Sequence, residues 1–330
     1  MDPEPFLRGV GFPGTDRVPY PRARAEDAAR LPMDTWISAQ IPVGVRIELV
    51  GDAEEIEIDY HTRTEKLGYR GDGAGRTFSL WRDGAKVAED TASLGEGTAR
   101  LSMGDASPDR CAVVYLPEGM RPTVTGVKPL TGAIGPAPPQ PRWVAYGDSV
   151  LEGWMASEPG LAWAAIASRD HELDLVNMGY AGAARGEIAS AEHVADLEAD
   201  VISITHGTNC WTRTPHSVPL FREGLHAFLD IVRQRHRRTP VVVGSPVLRP
   251  DAEGNPNRLD ATLGELREAM EAVVRDRIAG GDAALSLVPG GDLIDETQLA
   301  DGIHPNDDGH RAIAAALGPA VRRALDGGGH

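Results

Sequence analysis

Three residues of this chain could do covalent chemistry together: a serine closing a Gly-Asp-Ser turn, and an Asp and a His three positions apart. Trp143-Val144-Ala145-Tyr146 leads into Gly147-Asp148-Ser149, and about 150 residues later comes Asp301-Gly302-Ile303-His304-Pro305. Serine is a poor nucleophile until a base accepts its proton. His304 can be that base, and an Asp three residues earlier can lie within about 7 Å of it, Cα to Cα, if the segment turns. Its carboxylate would then hold Nδ1 and leave Nε2 for Ser149, fixing the tautomer and stabilising the imidazolium. Charge developing on a carbonyl oxygen of the substrate needs fixed donors. The N–H groups of Ser149 and of Gly182, in Asn177-Met178-Gly179-Tyr180-Ala181-Gly182, suit that task, as does the Asn209 amide in His206-Gly207-Thr208-Asn209.

For these pieces to meet, the elements around them must open on one edge. From Trp143 onward, short apolar runs alternate with helical stretches. The strands expected are Trp143–Tyr146, Leu173–Met178, Val201–Thr205, Pro240–Gly244 and Ala284–Val288. Helical spacing is expected near Leu161–Ser168, Glu187–Leu197, Pro219–Arg235, Asp260–Ile278 and Asp308–Leu325. Such β–α alternation implies a parallel sheet covered by helices on both faces. Ligands of open sheets of this kind bind at the carboxyl ends of the strands, where Ser149 falls.

The first 127 residues read differently. Val45, Ile47 and Leu49 alternate with Arg46 and Glu48, and Ile56, Ile58 and Tyr60 with Glu55, Glu57 and Asp59. That period of two buries one face of a sheet. Asp83-Gly84 reads as a hairpin turn, and further short strands near Ala99–Met103 and Ala112–Leu116 suggest an antiparallel sandwich. Residues 128–141, with Pro136-Ala137-Pro138-Pro139, read as a semi-rigid linker, leaving 142–330 to the α/β domain.

A length of 330 residues suits two domains, and 41% hydrophobic with 25% charged residues suits a folded chain. A formal net charge of −16 argues against nucleic acid or an anionic membrane as partner. Two cysteines, Cys111 and Cys210, make a disulfide framework an unexpected device. The opening residues lack a basic start followed by an apolar run, and no apolar stretch reaches about 18 residues. The expectation is therefore a cytoplasmic protein.

The four segments resemble the conserved blocks of the SGNH (GDSL-type) hydrolases over residues 141–325. Ser149 fits the Gly-Asp-Ser block, Gly182 the oxyanion glycine, Asn209 the Gly-x-Asn block, and Asp301 with His304 the Asp-x-x-His block. The family often has Asp after the oxyanion Asn, whereas this chain has Cys210, which bears on the local loop and on substrate shape. The resemblance implies a three-layer α/β/α, flavodoxin-like domain. A leading β-sandwich similar to a carbohydrate-binding module resembles both two-domain carbohydrate esterases and acyltransferases that tailor aromatic polyketides. The activity implied is a serine esterase acting on a small ester or thioester without metal or organic cofactor. Its rivals are an acyltransferase to a sugar or polyketide alcohol and a non-catalytic glycan-binding protein.

Other residues carry plainer alternatives. Asp301, His304, Asp307, Asp308 and His310 invite a metal reading, but no ligand spacing such as H-E-x-x-H is present, and Asn306 or Asp307 can cap the last helix. His206 reads as a packed strand-end residue and Cys210 as a small buried one. Trp154, Tyr180 and Trp211 follow the blocks and are expected to wall a pocket, with Trp163 in the core. Trp81, out of phase with Phe78 and Leu80, would be either a sugar-stacking platform or the cover of an interdomain seam. Gly71-Asp72-Gly73-Ala74-Gly75 lacks P-loop or dinucleotide spacing and reads as a loop.

Overall fold

The computed structural model describes residues 1–66, 75–104, 109–212 and 214–327. Most of the Gly71–Gly75 stretch and the end of the glycine-rich tail lie outside these.

Strands β1 (Leu7–Arg8), β2 (Arg46–Gly51), β3 (Glu55–Thr62), β4 (Thr77–Arg82), β5 (Ala85–Thr91), β6 (Gly95–Ser102), β7 (Ala112–Tyr115), β8 (Thr123–Pro129) and β9 (Ile134–Pro136) build two antiparallel sheets. One has the order β1-β2-β7-β4-β5 with β9 also paired to β2, and the other the order β6-β3-β8. The alternating residues meet between them: Ile47 and Leu49 share one core with Ile56, Ile58 and Tyr60. Asp83 and Gly84, at φ 50° and 77°, make the β4–β5 hairpin turn, whose positive φ values match the strand twist.

The second layer system holds β10 (Arg142–Gly147), β11 (Asp174–Gly179), β12 (Val201–Thr205), β13 (Val241–Gly244) and β14 (Leu285–Val288). All pair in parallel, in the order β11-β10-β12-β13-β14. The helices are α1 (Met33–Ala39), α2 (Ser149–Glu152), α3 (Trp163–Asp170), α4 (Ile188–Asp196), α5 (Val218–Arg235), α6 (Pro250–Glu253), α7 (Leu263–Ala279) and α8 (Asp307–Gly327). Strand alternation supplies both cores. Val144 and Tyr146 of β10 point into the cluster shared with α4, α5 and α7. Trp143 and Ala145 point into the cluster with α3 and α8. Each large apolar side chain so buried contributes roughly 1.5–3 kcal/mol, which sets the plane on which the loops stand.

Edge strand β11 does not face water. Arg46 of β2 donates to the carbonyls of Leu175 (3.0 Å) and Leu173 (3.4 Å) and pairs with Asp174 (3.2 Å) and Glu48 (2.6 Å). The sandwich thereby covers an edge that would otherwise invite pairing with another chain. The segment between β1 and β2 also crosses over: Phe12, Ala23, Leu31 and Ala39 pack into the α/β core. Trp81 lies in the seam, 5% exposed, with Tyr115, Ala156 and Ala162. The Arg169 guanidinium lies over it, 4.6 Å from the ring. Among the described residues no helix is long and apolar enough to cross a membrane.

Candidate active site

Strand β10 runs straight into the serine because its end admits no side chain. A Cβ on Gly147 would stand 2.5 Å from the Thr205 hydroxyl oxygen. Asp148 then caps α2, its carboxylate accepting the Val150 N–H at 3.0 Å, so Ser149 opens the helix at the strand end. Burial pushes the Asp148 carboxyl up to about 6, against hydrogen bonding from Val150 and Thr208.

The histidine is held by a turn that Asp301 builds itself. Its Oδ1 accepts the N–H groups of Ile303 (3.0 Å) and His304 (2.8 Å), while Oδ2 stands 2.8 Å from His304 Nδ1. An Asx turn of this kind fixes the carboxylate before the imidazole is considered. Burial alone would raise the Asp301 carboxyl, but bonding from the His304 ring and backbone outweighs it and leaves it below the usual range. With Nδ1–H donating to the Asp301 carboxylate, Nε2 is left as acceptor, 3.1 Å from Ser149 Oγ. Ser149, His304 and Asp301, expected from spacing alone, thus lie in one hydrogen-bonded line.

The acid-rich segment around them has structural partners. Asn306 Oδ1 accepts the Gly309 N–H at 3.0 Å and so caps α8. Asp307 accepts the N–H and hydroxyl of Ser157 at 2.8 and 2.7 Å, and Asp308 pairs with Arg311 at 2.7 Å. His310 accepts the Trp163 N–H at 3.3 Å and donates to the Trp154 carbonyl at 3.1 Å; burial drives its pKa down to about 4.

Of the other residues expected to serve as oxyanion donors, Gly182 sits at φ +69° with open space where a Cβ would be. Asn209 lies in the turn after β12 and donates one amide hydrogen to the Ala183 carbonyl. An amide nitrogen carries two hydrogens, so a second remains. The aromatic residues expected around a pocket divide. Trp154 stacks on His304, ring centres 5.3 Å apart and planes 27° from parallel. Trp211, half-buried, donates to the Asn255 carbonyl at 2.8 Å under the Arg249 guanidinium. Tyr180 lies instead wholly inside the core, its hydroxyl donating to the Arg22 carbonyl at 2.5 Å. The reason is register: it follows β11 on the face that meets Tyr146 edge to face.

Trp163 is in the core, and His206 is buried against Tyr146, Phe221 and Phe228 with its pKa driven down to about 3 by burial. Cys210 is buried and its thiol pushed up, which leaves it a packing group. Burial pushes Cys111 up to about 12. Two residues that sequence reasoning passed over are Glu152 and Arg22, both buried beside the Gly182 loop. A charged residue ending the short apolar run after Ser149 was the available signal for Glu152; Arg22 carried none.

With this geometry in view, the sequence model of the GDSL-like lipase/acylhydrolase family matches residues 140–322. A sequence search of the curated proteins returns no match. Among solved structures, the chain is similar to the salicylyl-acyltransferase SsfX3 from a tetracycline biosynthetic pathway, with TM-score 0.81 and 24% identity over 97% of this chain and 94% of that one. A GDSL-like lipase from Bacteroides ovatus gives TM-score 0.79 and 21% identity over 99% and 97% of the two chains. A family two carbohydrate esterase from Clostridium thermocellum gives 0.63 and 15% over 86% and 92%. At these identities the likeness is one of fold, and it extends over both the sandwich and the α/β layers.

Proposed function

The chain belongs to the GDSL-like lipase/acylhydrolase family, and from that premise we propose that it is a serine esterase cleaving a small O-acyl ester through an acyl-enzyme. The observation that carries this reading is the line Asp301–His304–Ser149, at 2.8 and 3.1 Å. Ser149 Oγ attacks the ester or thioester carbonyl as His304 Nε2 takes its proton. Asp301 keeps the other ring nitrogen protonated and stabilises the imidazolium. The N–H groups of Ser149 and Gly182 and the remaining Asn209 amide hydrogen receive the oxyanion. His304 returns its proton to the leaving alcohol or thiol, the acyl group stays on Ser149, and water activated by the same imidazole releases it. Each step uses the chain's own groups and calls on no cofactor.

A second reading has its own support. The fold match to a salicylyl-acyltransferase spans 97% of the chain at TM-score 0.81, against 86% and 0.63 for the carbohydrate esterase. In that reading an alcohol of a sugar or polyketide takes the place of water, and the triad is unchanged. What separates the two is how well the cleft excludes water from the acyl-enzyme.

Nitrophenol release from acetyl, butyryl and benzoyl nitrophenyl esters, followed from milliseconds onward, distinguishes them. Steady turnover that vanishes in Ser149→Ala is the result expected of the esterase. A stoichiometric burst that stalls with the acyl group on Ser149 moves the assignment to acyl transfer. Release unaffected by Ser149→Ala refutes both.

A further inference from the structure

The strongest unassigned feature is a buried ion pair directly behind the oxyanion loop. Glu152 ends the one-turn helix α2 that Ser149 begins. Its Oε2 accepts the backbone N–H of Ala181 at 2.6 Å and the hydroxyl of Ser38 at 2.8 Å. Arg22 Nη2 stands 3.6 Å from the same oxygen, with side-chain exposures of 2% and 0% for the pair. Arg22 in turn donates to the Gly179 carbonyl, to Ile41 at 2.7 Å and to the Ser38 carbonyl at 2.7 Å. Glycine at 179 lets the chains meet, since a Cβ there would stand 2.6 Å from the Glu152 nitrogen. The helix bearing the nucleophile, the loop bearing the oxyanion glycine and the α1 segment are thereby joined at one carboxylate.

A pair like this is a poor device for stability alone. Burying two charges is costly, and well-packed apolar side chains often serve a fold as well or better. What apolar residues cannot do is accept a specific backbone N–H. Glu152 fixes the Tyr180–Ala181 peptide through the N–H of Ala181, one peptide before the one that carries the Gly182 N–H, and so anchors the backbone from which that N–H is aimed. A carboxylate so close to the oxyanion site would by itself oppose the negative charge of the transition state; Arg22 neutralises it.

We infer that Glu152 and Arg22 are positioning residues for the oxyanion hole: Glu152 orients the Ala181–Gly182 segment, and Arg22 cancels the charge that this orientation requires. The inference rests on the acyl-enzyme reading above. It predicts a pattern that a merely structural pair would not produce. Glu152→Gln keeps an acceptor of the same shape and should lower kcat roughly 10-fold with KM little changed, less than the roughly 100–1000-fold loss of a whole oxyanion donor. Arg22→Met leaves the carboxylate uncompensated and should cost more, roughly 100-fold. Combining the two should restore part of the activity lost in Arg22→Met, because the opposing charge is then gone.

The experiment measures kcat and KM on acetyl nitrophenyl ester for these three variants and Ser149→Ala, with the folding of each checked by circular dichroism. Affinity for a trifluoromethyl ketone, which forms an oxyanion on Ser149, is measured alongside. Parallel losses in kcat and ketone affinity, with partial rescue in the double variant, are expected. Should wild-type turnover not depend on Ser149, the acyl-enzyme reading itself fails. Should turnover depend on Ser149 while the double variant is worse than Arg22→Met, or ketone affinity stay constant, the positioning role is refuted. If the charge variants do not fold, Ser38→Ala removes one bond to the same carboxylate; a few-fold loss in both kcat and ketone affinity supports the role, and none in either overturns it.

Discussion

Replacing Asp301 by Asn leaves the shape of the candidate triad almost intact, and the local hydrogen bonds determine what happens next. Oδ1 accepts two backbone N–H groups, at 3.0 and 2.8 Å, while Oδ2 faces His304 Nδ1. An asparagine must keep its oxygen toward those two donors, which turns its NH2 toward the imidazole. Nδ1 is then forced to accept, the ring proton moves to Nε2, and the nitrogen facing Ser149 can no longer act as base. The opposite rotamer restores the tautomer but breaks both backbone bonds, at about 0.5–1.5 kcal/mol each. That penalty alone leaves only roughly one molecule in 5 to 150 competent, since about 1.4 kcal/mol is tenfold. The imidazolium also loses its counter-charge. At 37% exposure of the Asp301 side chain that loss is screened, and we take it as a further factor of roughly 10 to 30. The expected fall in kcat is therefore roughly 50- to 5000-fold, with KM on acetyl nitrophenyl ester little changed and the fold intact by circular dichroism. An Asp301→Asn enzyme within about fivefold of wild type, beside an inactive Ser149→Ala, would show that this carboxylate does not set the tautomer.

Asn209→Ala removes one proposed oxyanion donor and should reduce kcat roughly 100–1000-fold while leaving slow Ser149-dependent turnover; unchanged kcat would remove it from the site. Stability should depend on pH through buried groups that titrate in opposite directions. His206 and His310 are lowered from 6.5 to about 3 and about 4, so below pH 6.5 the unfolded chain binds protons that the folded one refuses, and stability falls as pH falls. Asp148, raised from 3.8 to about 6, works the other way, its contribution being present below 3.8 and lost as pH rises through 6. Near pH 5 the two histidines outweigh the one carboxyl, and His193, His216 and His236, also lowered by burial, act in the same sense, giving a loss of at least roughly 1 kcal/mol per pH unit of acidification. Denaturant titrations between pH 4 and 6 should show this slope in wild type and a flatter one in His310→Gln; equal slopes would contradict the assignment. Trp81→Ala empties the domain seam and should cost about 3–5 kcal/mol in urea unfolding, and a change below about 1 kcal/mol would mean that the seam carries little of the fold.

Much of the α/β layer was legible because its strands are short apolar runs and its helices carry a helical period. Those signals depend only on near neighbours in sequence. The β3 and β4–β5 elements could be read for the same reason, from strict alternation and from Asp83-Gly84. Boundaries moved by a residue or two, as β11 did from Leu173–Met178 to Asp174–Gly179. Asp301 and His304 were legible because a three-residue turn brings them together locally, and Ser149 because Gly147 and Asp148 shape the strand end around it.

Residues whose role depends on distant partners carried no such mark. Tyr180 lies in the segment expected to hold the oxyanion glycine and reads as a pocket wall, yet packing against Tyr146 turns it inward. Trp81 has a period that suits exposure, and only the arrival of Arg169 and Tyr115 makes it a seam. Arg22 is one of many arginines until the chain between β1 and β2 folds across the α/β layer and sets it against Glu152, 130 residues away in sequence. The sequence by itself determined which elements form and which local turns present the proposed nucleophile and its base, because backbone preference and side-chain period act over a few residues. Tertiary structure alone decided which face each aromatic shows, how the sandwich covers β11, and which buried charges meet behind the Gly182 loop. Those outcomes follow from desolvation and close packing between segments far apart in the chain, and no local pattern encodes them.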